Sequence, residues 1–231
     1  MLDFSDAPYQ FIPPKPNRLV ISLIRTANRL IAMPGKNHRL AGVDLSGEEN
    51  FEEAADESDA RYVFLPNHPT HSDPHVVTEV CRRLGVMPAF MTAYDVFARG
   101  KLGAWCMQHN GAFSVDREGS DRKSMKCAAE IIGAGDYPLV IFPEGNVYFC
   151  NDKVTPFNEG AAYIALRAQH KLRDEAPVFA VPVSLKYTWV EDVREGVRGD
   201  LDQIAREFGT SLQRDRPIID ELRRISLIAL G

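Results

Sequence analysis

Short apolar runs alternate with amphipathic segments along the chain from residue 61 onward. The apolar runs are typical of buried strands, and the segments between them carry the 3.6-residue periodicity of surface helices. This pattern predicts strands at residues 62–65, 88–92, 112–115, 139–142 and 178–185. It predicts helices at residues 74–84, between 99 and 108, at 121–132 and 160–171, and within 200–208 and 217–230. Strands that alternate with helices favour an α/β fold with a mixed or largely parallel sheet flanked by helices.

A further helix is predicted ahead of the first strand, between Pro16 and Pro34. At about 100° per residue its apolar side chains form one arc, and Arg18, Arg25 and Arg29 lie opposite. Residues 7–43 contain six Lys or Arg and no acid. Such a helix can lie in a membrane interface with its arginines on anionic headgroups, or it can pack on the domain with a solvated basic face. We expect residues 17–33 to contact a membrane surface, with packing on the domain as the alternative.

Composition narrows the class of protein. The net charge of −5 over 231 residues argues against a nucleic-acid-binding protein. The longest uncharged run, 14 residues at 102–115, is too short to span a bilayer. The four cysteines are 21 to 25 residues apart, which indicates neither a zinc site nor a disulfide framework. We expect a cytoplasmic protein with a basic arm and acidic connector at 1–59, a core at 60–190 and a helical extension at 191–231.

Residues 65–75, directly after a predicted strand, carry three histidines and an aspartate: His68, His71, Asp73 and His75. The Asp-Pro pair at residues 73–74 is typical of a helix N-terminus with aspartate as the N-cap. A carboxylate held there can also accept the Nδ1–H of His68, which leaves Nε2 as a general base. The alternative is a metal site built from all four side chains, although their spacing matches no common metal motif.

Two further loops follow predicted strands. Residues 140–146 contain Glu144 and Gly145, where a flexible backbone with exposed amides can bind an anion, although a plain turn has the same sequence. The third apolar run lies between Gly111 and Arg117. Arg117 is either a surface ion-pair residue or a bidentate hydrogen-bond donor to a phosphate.

Taken in order, these motifs resemble the glycerolipid acyltransferase family, which includes 1-acylglycerol-3-phosphate acyltransferase. The resemblance covers about residues 60–187 and is carried by the following matches: Asn67, His68 and Asp73; Gly111 and Arg117; Phe142, Pro143, Glu144 and Gly145; Pro156, Phe157, Gly160 and Ala161; and Val181 to Val183. The family usually has Thr-Arg after the Phe-Pro-Glu-Gly motif, whereas this chain has Asn146 and Val147.

The resemblance implies an O-acyltransferase that moves a fatty acyl group from acyl-CoA or acyl-carrier protein to a lysophospholipid or glycerol-phosphate lipid. It implies that His68 is the base, that Asp73 orients it, and that Asn67, Gly111, Arg117 and residues 142–145 bind the acceptor. The resemblance implies no cofactor and no metal. It does imply association with the inner face of the cell membrane. The missing arginine puts lysophosphatidate in doubt as the specific acceptor. A metal-dependent hydrolase and a non-catalytic lipid-binding module are the alternative functions.

Overall fold

The structure is a computed structural model that describes residues 8–55, 59–98, 100–117, 119 and 121–230. The chain divides into two compact units, Met1–Lys186 and Tyr187–Gly231. The first unit contains the sheet and every motif named above, and the second contains a pair of helices.

Within the described residues, five strands form one sheet in which every pair is parallel. They are β1 (Arg61–Pro66), β2 (Ala89–Ala93), β3 (Ala112–Val115), β4 (Leu139–Val140) and β5 (Val178–Val183). Their order is β3-β2-β4-β1-β5. The predicted α/β fold is confirmed, and the sheet is wholly parallel. Two of the strands, β4 and β5, each end two residues before the predicted boundary because the chain turns into loops there.

Helices of the first unit follow the strands in the predicted alternation. They are α1 (Arg18–Ala27), α2 (Glu48–Ala55), α3 (Asp73–Arg83), α4 (Tyr94–Ala98), α5 (Lys101–His109), α6 (Arg122–Ala134) and α7 (Gly160–Leu172). The sequence pattern did not predict the short helices α2 and α4. Because parallel crossovers are right-handed, α3 and α5 lie on one face of the sheet and α6 and α7 on the other.

The main core lies between the sheet and helices α6 and α7. Its centre consists of fully buried side chains from three strands, Val63, Phe113 and Leu139, against Ile132 and Ile164 of the two helices. The continuous apolar runs of the strands are explained by this packing, since parallel strands covered on both faces need apolar side chains in both directions. The rigid sheet brings the loops at the carboxyl ends of β1 to β4 to one edge.

The N-terminal helix is longer than α1 alone, because the π-helical segment Asn28–Ala32 continues it. It packs against α3 and α5. Its buried positions are Ile21 and Asn28, while Leu19, Leu23, Leu30 and Ile31 are exposed. Arg25, predicted on the solvated face with Arg18 and Arg29, is partly buried instead, and this burial lowers the pKa of its guanidinium. The alternative of packing on the domain is therefore confirmed for one stripe of the helix. A separate apolar stripe is exposed, and its contact with a membrane stays a prediction.

The second unit pairs α8 (Arg194–Glu207) with α9 (Ile218–Ala229) around Leu201, Ala205 and Ile225. Helix α8 begins six residues before the span predicted for it. Glu221 is buried on α9 and accepts hydrogen bonds from the Arg224 side chain and from the amide of Gln213. These contacts hold the pKa of Glu221 at about 2.

Candidate active site

A histidine–aspartate pair lies at the carboxyl end of β1. Nδ1 of His68 is 2.6 Å from Oδ2 of Asp73. The Asp73 side chain is completely buried, whereas 16% of the His68 side chain is exposed. A carboxylate at Nδ1 selects the tautomer in which that nitrogen carries the proton, so Nε2 is the basic nitrogen.

Asp73 is fixed by the turn between the two residues of the pair. Its carboxylate accepts hydrogen bonds from the backbone amide of Thr70, at 2.9 Å, and from the Thr70 hydroxyl, at 3.1 Å. The predicted N-cap role is wrong, because α3 has Ser72 as its N-cap residue and Asp73 is its first residue. The carboxylate turns back to the loop instead of capping the helix. Sequence reasoning missed Thr70, whose only signal was its position three residues before an aspartate.

The loop after β4 contacts the histidine from two sides. The ring of Phe142 stacks on the ring of His68, with centroids 4.1 Å apart. Glu144 is buried, and its Oε1 accepts the backbone N–H of His68 at 2.8 Å. Its Oε2 accepts hydrogen bonds from the amide and the hydroxyl of Thr155. Glu144 therefore joins the histidine loop to a segment that follows the Phe-Pro-Glu-Gly motif, and sequence reasoning missed Thr155.

The pKa of Glu144 is consistent with its hydrogen bonds to His68 and Thr155. Burial alone would raise the pKa of its carboxyl group, but the hydrogen bonds from Thr155 and from the His68 amide outweigh burial and lower it. Gly145 follows with φ +73°, and a Cβ atom there would lie 2.4 Å from Nδ2 of Asn158. A glycine is required at this turn.

Arg117 reaches the same edge from the end of β3. Its Nη1 donates to Oδ1 of Asn146 at 2.7 Å, and its Nη2 lies 3.2 Å from Oδ2 of Asp95. Asn146 occupies the first of the two positions where the family usually has Thr-Arg. Its side-chain oxygen accepts a hydrogen bond from Arg117. Asp95 follows β2 and was not among the predicted site residues, because no sequence motif marks it.

Two predicted acceptor-binding residues make contacts within the protein, and a third lies away from the site. The Asn67 side chain bonds both backbone groups of Leu185, at 2.6 Å and 3.0 Å, and so joins the ends of β1 and β5. The carbonyl of Pro143 accepts the N–H of Asn158 at 2.8 Å. Gly111 lies at the amino end of β3, one strand length from Arg117, and the structure does not bring it to the site.

The other two histidines of residues 65–75 have separate partners. Nδ1 of His75 bonds Oδ1 of Asn28 at 2.5 Å, and the ring of His71 lies perpendicular to that of Phe149, with centroids 5.1 Å apart. Within the described residues no three His, Cys, Asp or Glu side chains are grouped as metal ligands. His68 and Asp73 contact each other, but the four residues that the metal-site alternative requires do not form one group of ligands.

Chemically, the arrangement provides a base, a buried carboxylate that orients it, and a guanidinium at the same sheet edge. A base with a fixed tautomer can remove a proton from a hydroxyl group, and the carboxylate stabilises the imidazolium that forms. A guanidinium nearby can hold a phosphate group.

Comparison with known proteins is consistent with this chemistry. Residues 42–186 match the model of the family described as Acyltransferase. The chain is 28% identical over 128 residues to 1-acyl-sn-glycerol-3-phosphate acyltransferase from Streptococcus pneumoniae (strain ATCC BAA-255 / R6), an alignment that covers 55% of this chain and 45% of the relative. The chain thus spans about half the length of that relative. No solved structure matches. Since the matched residues include the whole sheet and its carboxyl-edge loops, this chain belongs to the acyltransferase family.

Proposed function

We propose that this protein transfers a fatty acyl group from an acyl thioester, acyl-CoA or acyl-carrier protein, to the hydroxyl group of a lysophospholipid or glycerol-phosphate lipid. The reaction serves phospholipid biosynthesis or remodelling. The proposal rests on the His68–Asp73 pair, observed in a chain of the acyltransferase family. Glu144 holds the backbone of His68 in place through a hydrogen bond. The named activity of the pneumococcal relative supports the same reaction class.

The mechanism uses general-base catalysis. The acceptor oxygen attacks the thioester carbonyl carbon while Nε2 of His68 takes the hydroxyl proton. Asp73 stabilises the imidazolium, and backbone N–H groups meet the negative charge on the tetrahedral oxygen. When the intermediate collapses, the carbon–sulfur bond breaks, and the imidazolium returns the proton to the departing thiolate. The ester product and a free thiol leave, with no covalent enzyme intermediate.

Arg117 is proposed to hold the acceptor phosphate. Its guanidinium already contacts Asn146 and Asp95, so a phosphate must share it with a carboxylate. A dianionic phosphate monoester is repelled more by that carboxylate than a singly charged diester is. We therefore propose a weaker preference for lysophosphatidate than relatives with the Thr-Arg motif have.

A peripheral position on the inner face of the cell membrane completes the proposal. The exposed apolar stripe of α1 and the π-helical segment, bordered by Arg18 and Arg29, fits an anionic lipid surface. Across the described residues, no helix has the length and apolar character needed to cross a membrane.

The proposal is tested by incubating the purified protein with one labelled acyl-CoA or acyl-carrier protein and a panel of lysolipids, with and without an exhaustive chelator. We expect labelled diacyl product that is insensitive to chelation. Activity that disappears with chelation and returns with a metal ion would favour the hydrolase alternative. Lipid binding without any product from either donor would favour a non-catalytic module.

A further inference from the structure

Helix α5 has an unusual surface for a helix of a folded domain. None of its residues, all of them described, is buried. Leu102 is 76% exposed and Trp105 is 48% exposed. Because short helices in water are stabilised mainly by burying an apolar face, a helix with two large exposed apolar side chains and no buried residue lacks part of its packing partner.

Hydrogen bonds join the end of α5 to the segment that leads into α1. The N–H groups of Lys15 and Asn17 donate to the carbonyls of Gln108 and His109, so the start of α1 lies at the end of α5. At the other end of the N-terminal helix, Asn28 bonds both the ring and the carbonyl of His75, next to Asp73. The N-terminal helix therefore packs against α5 and reaches the start of α3 near the catalytic pair.

The exposed apolar stripe of the N-terminal helix thus has a neighbour of the same character. Leu19, Leu23, Leu30 and Ile31 of the stripe are 68–78% exposed. The indole of Trp105 is held in place by stacking on the ring of His109, with centroids 4.2 Å apart. An ordered indole three residues from the exposed Leu102 on one helix fits the headgroup region of a bilayer, where tryptophan is enriched.

The charges of both segments select the partner. Residues 8–43 and 101–115 contain seven Lys or Arg and no Asp or Glu, in a chain whose formal net charge is −5. Binding to a protein with an apolar patch would not require both segments to lack Asp and Glu. An anionic lipid surface would, because it repels every carboxylate near it. Charge complementarity therefore favours a lipid surface over a second protein.

We infer that α5 is a second membrane-contacting element beside the N-terminal helix, with Trp105 as its interfacial anchor and an anionic bilayer as its partner. This inference rests on the proposed function. It places Leu102, at the catalytic-edge end of α5, and Leu30 with Ile31 on the lipid surface. A lysolipid would reach His68 from the bilayer along this side.

The two tryptophans of the chain allow a direct test, since each can be observed alone. Trp189→Phe leaves Trp105 as the sole indole, and Trp105→Phe leaves Trp189 as the comparison. Each full-length variant is mixed with phosphatidylcholine–phosphatidylglycerol vesicles whose acyl chains carry bromine. We expect the Trp105 emission to shift to shorter wavelength and to be quenched by the brominated lipid.

Binding is then measured by sedimentation with the same vesicles at low salt. Leu102→Ser with Trp105→Ser should weaken the partition coefficient about tenfold or more, because both side chains lose apolar burial. Leu166→Ser is the matched control: Leu166 is 70% exposed on α7, which lies on the opposite face of the sheet, and its loss should leave binding unchanged. Circular dichroism of each variant verifies folding.

These experiments distinguish a failure of the α5 inference from a failure of the proposed membrane contact or of the proposed reaction. If wild-type protein sediments with vesicles but Trp105 is neither shifted nor quenched, α5 stays in water and this inference is overturned, while membrane contact through residues 17–33 stands. If wild-type protein does not sediment, both membrane statements fail. Acyl transfer to a soluble short-chain acceptor, measured in parallel, reports on the reaction independently of either.

Discussion

Three histidines lie within eight residues of one another, and their partners give each a different task. His68 faces a buried carboxylate, the ring of His71 packs perpendicular to that of Phe149, and His75 bonds Asn28. The carboxylate beside His68 fixes its tautomer and also stabilises the imidazolium, whereas the amide oxygen of Asn28 carries no charge that would stabilise a protonated His75. At this scale a residue's function follows from the group opposite its ring and not from its type.

Glu144 is expected to act on catalysis through His68. Glu144→Ala leaves the amides of His68 and Thr155 without their acceptor, at a cost of about 1–3 kcal/mol for each unsatisfied group. We expect a lower unfolding free energy and a kcat reduced by about tenfold or more, with little change in acceptor KM, because the carboxylate holds the base in position. Glu159→Gln, at an exposed position, should be silent. An increase in acceptor KM with unchanged kcat would show that Glu144 contacts the acceptor.

Arg117 is expected to act on acceptor binding. Arg117→Ala removes a charge-assisted hydrogen bond of about 1.5–3 kcal/mol, which raises the acceptor KM by about tenfold to a hundredfold. The measurement is KM for lysophosphatidate and for a singly charged lysophospholipid, with Arg167→Ala on α7 as the control. An acceptor KM that does not change in Arg117→Ala would make Arg117 an ordinary ion-pair residue of Asp95.

The sequence predicted the His68–Asp73 pair because both partners lie in one short turn whose spacing limits their geometry. It did not predict that Glu144 binds the His68 amide, since the two residues are 76 positions apart and only the folded sheet brings them together. The same holds for Asp95 and Arg117, which meet across neighbouring strand ends.

At the scale of elements, the N-terminal helix is attached to the start of α3, the helix that begins with Asp73. Asn28 in the π-helical segment bonds both the ring and the carbonyl of His75, and Nδ1 of His38 lies 3.0 Å from the Ser72 hydroxyl. The π-helical segment begins at Asn28, which is buried. Ile21 and Met33 are also buried.

Deleting residues 1–34 would therefore expose the surfaces of α3 and α5 that the N-terminal helix covers. Point substitutions at the exposed Leu23 and Leu30 are a cleaner test of membrane contact, because they leave this packing intact.

His75 predicts a pH dependence of stability. Burial, reinforced by the nearby His38, lowers the pKa of His75 to about 4, against 6.5 when exposed. Between these values the unfolded chain binds the proton and the folded chain does not, so stability falls as pH drops from about 6.5 to 4. Because His75 is partly exposed, we expect a loss of about 1–2 kcal/mol.

His75→Gln should remove this part of the slope, while His170→Gln, at an exposed position, should retain it. Urea unfolding of the three proteins at pH 4, 5, 6.5 and 8 measures the difference. Parallel curves for wild type and His75→Gln across that window would contradict the assignment.

Element positions were predictable where apolar periodicity is strong. The five strands were found within about two residues because their runs are apolar on both faces. Helix α6 was predicted from its amphipathic pattern at residues 121–132, and in the structure Asp121 caps it and Gly135, at φ +74°, ends it. Helix α2 was missed because its acidic residues leave only Phe51 as a buried anchor. The π-turn was missed because burial of Asn28 depends on a tertiary partner, which periodicity does not report.

At the largest scale, the first unit is organised around the sheet that its described residues form. Its order places β4 beside β1, so the Phe142–Gly145 loop and the His68–Asp73 turn lie next to each other although they are far apart in sequence. Helices α1 and α5 cover the opposite face from α6 and α7. An open parallel sheet with its reactive groups at the carboxyl edge is the expected location of chemistry in this fold class.

The most direct test of the account is acyl transfer by His68→Ala compared with His71→Ala, with folding verified by circular dichroism. His68→Ala should lose about 10²–10⁴-fold in kcat, since general-base catalysis contributes that much, while His71→Ala should remain close to wild type. The same assay on Asp73→Asn should show a severe loss, because the carboxylate that orients the ring is gone. Activity in His68→Ala equal to that of His71→Ala would contradict the assignment of His68 as the base.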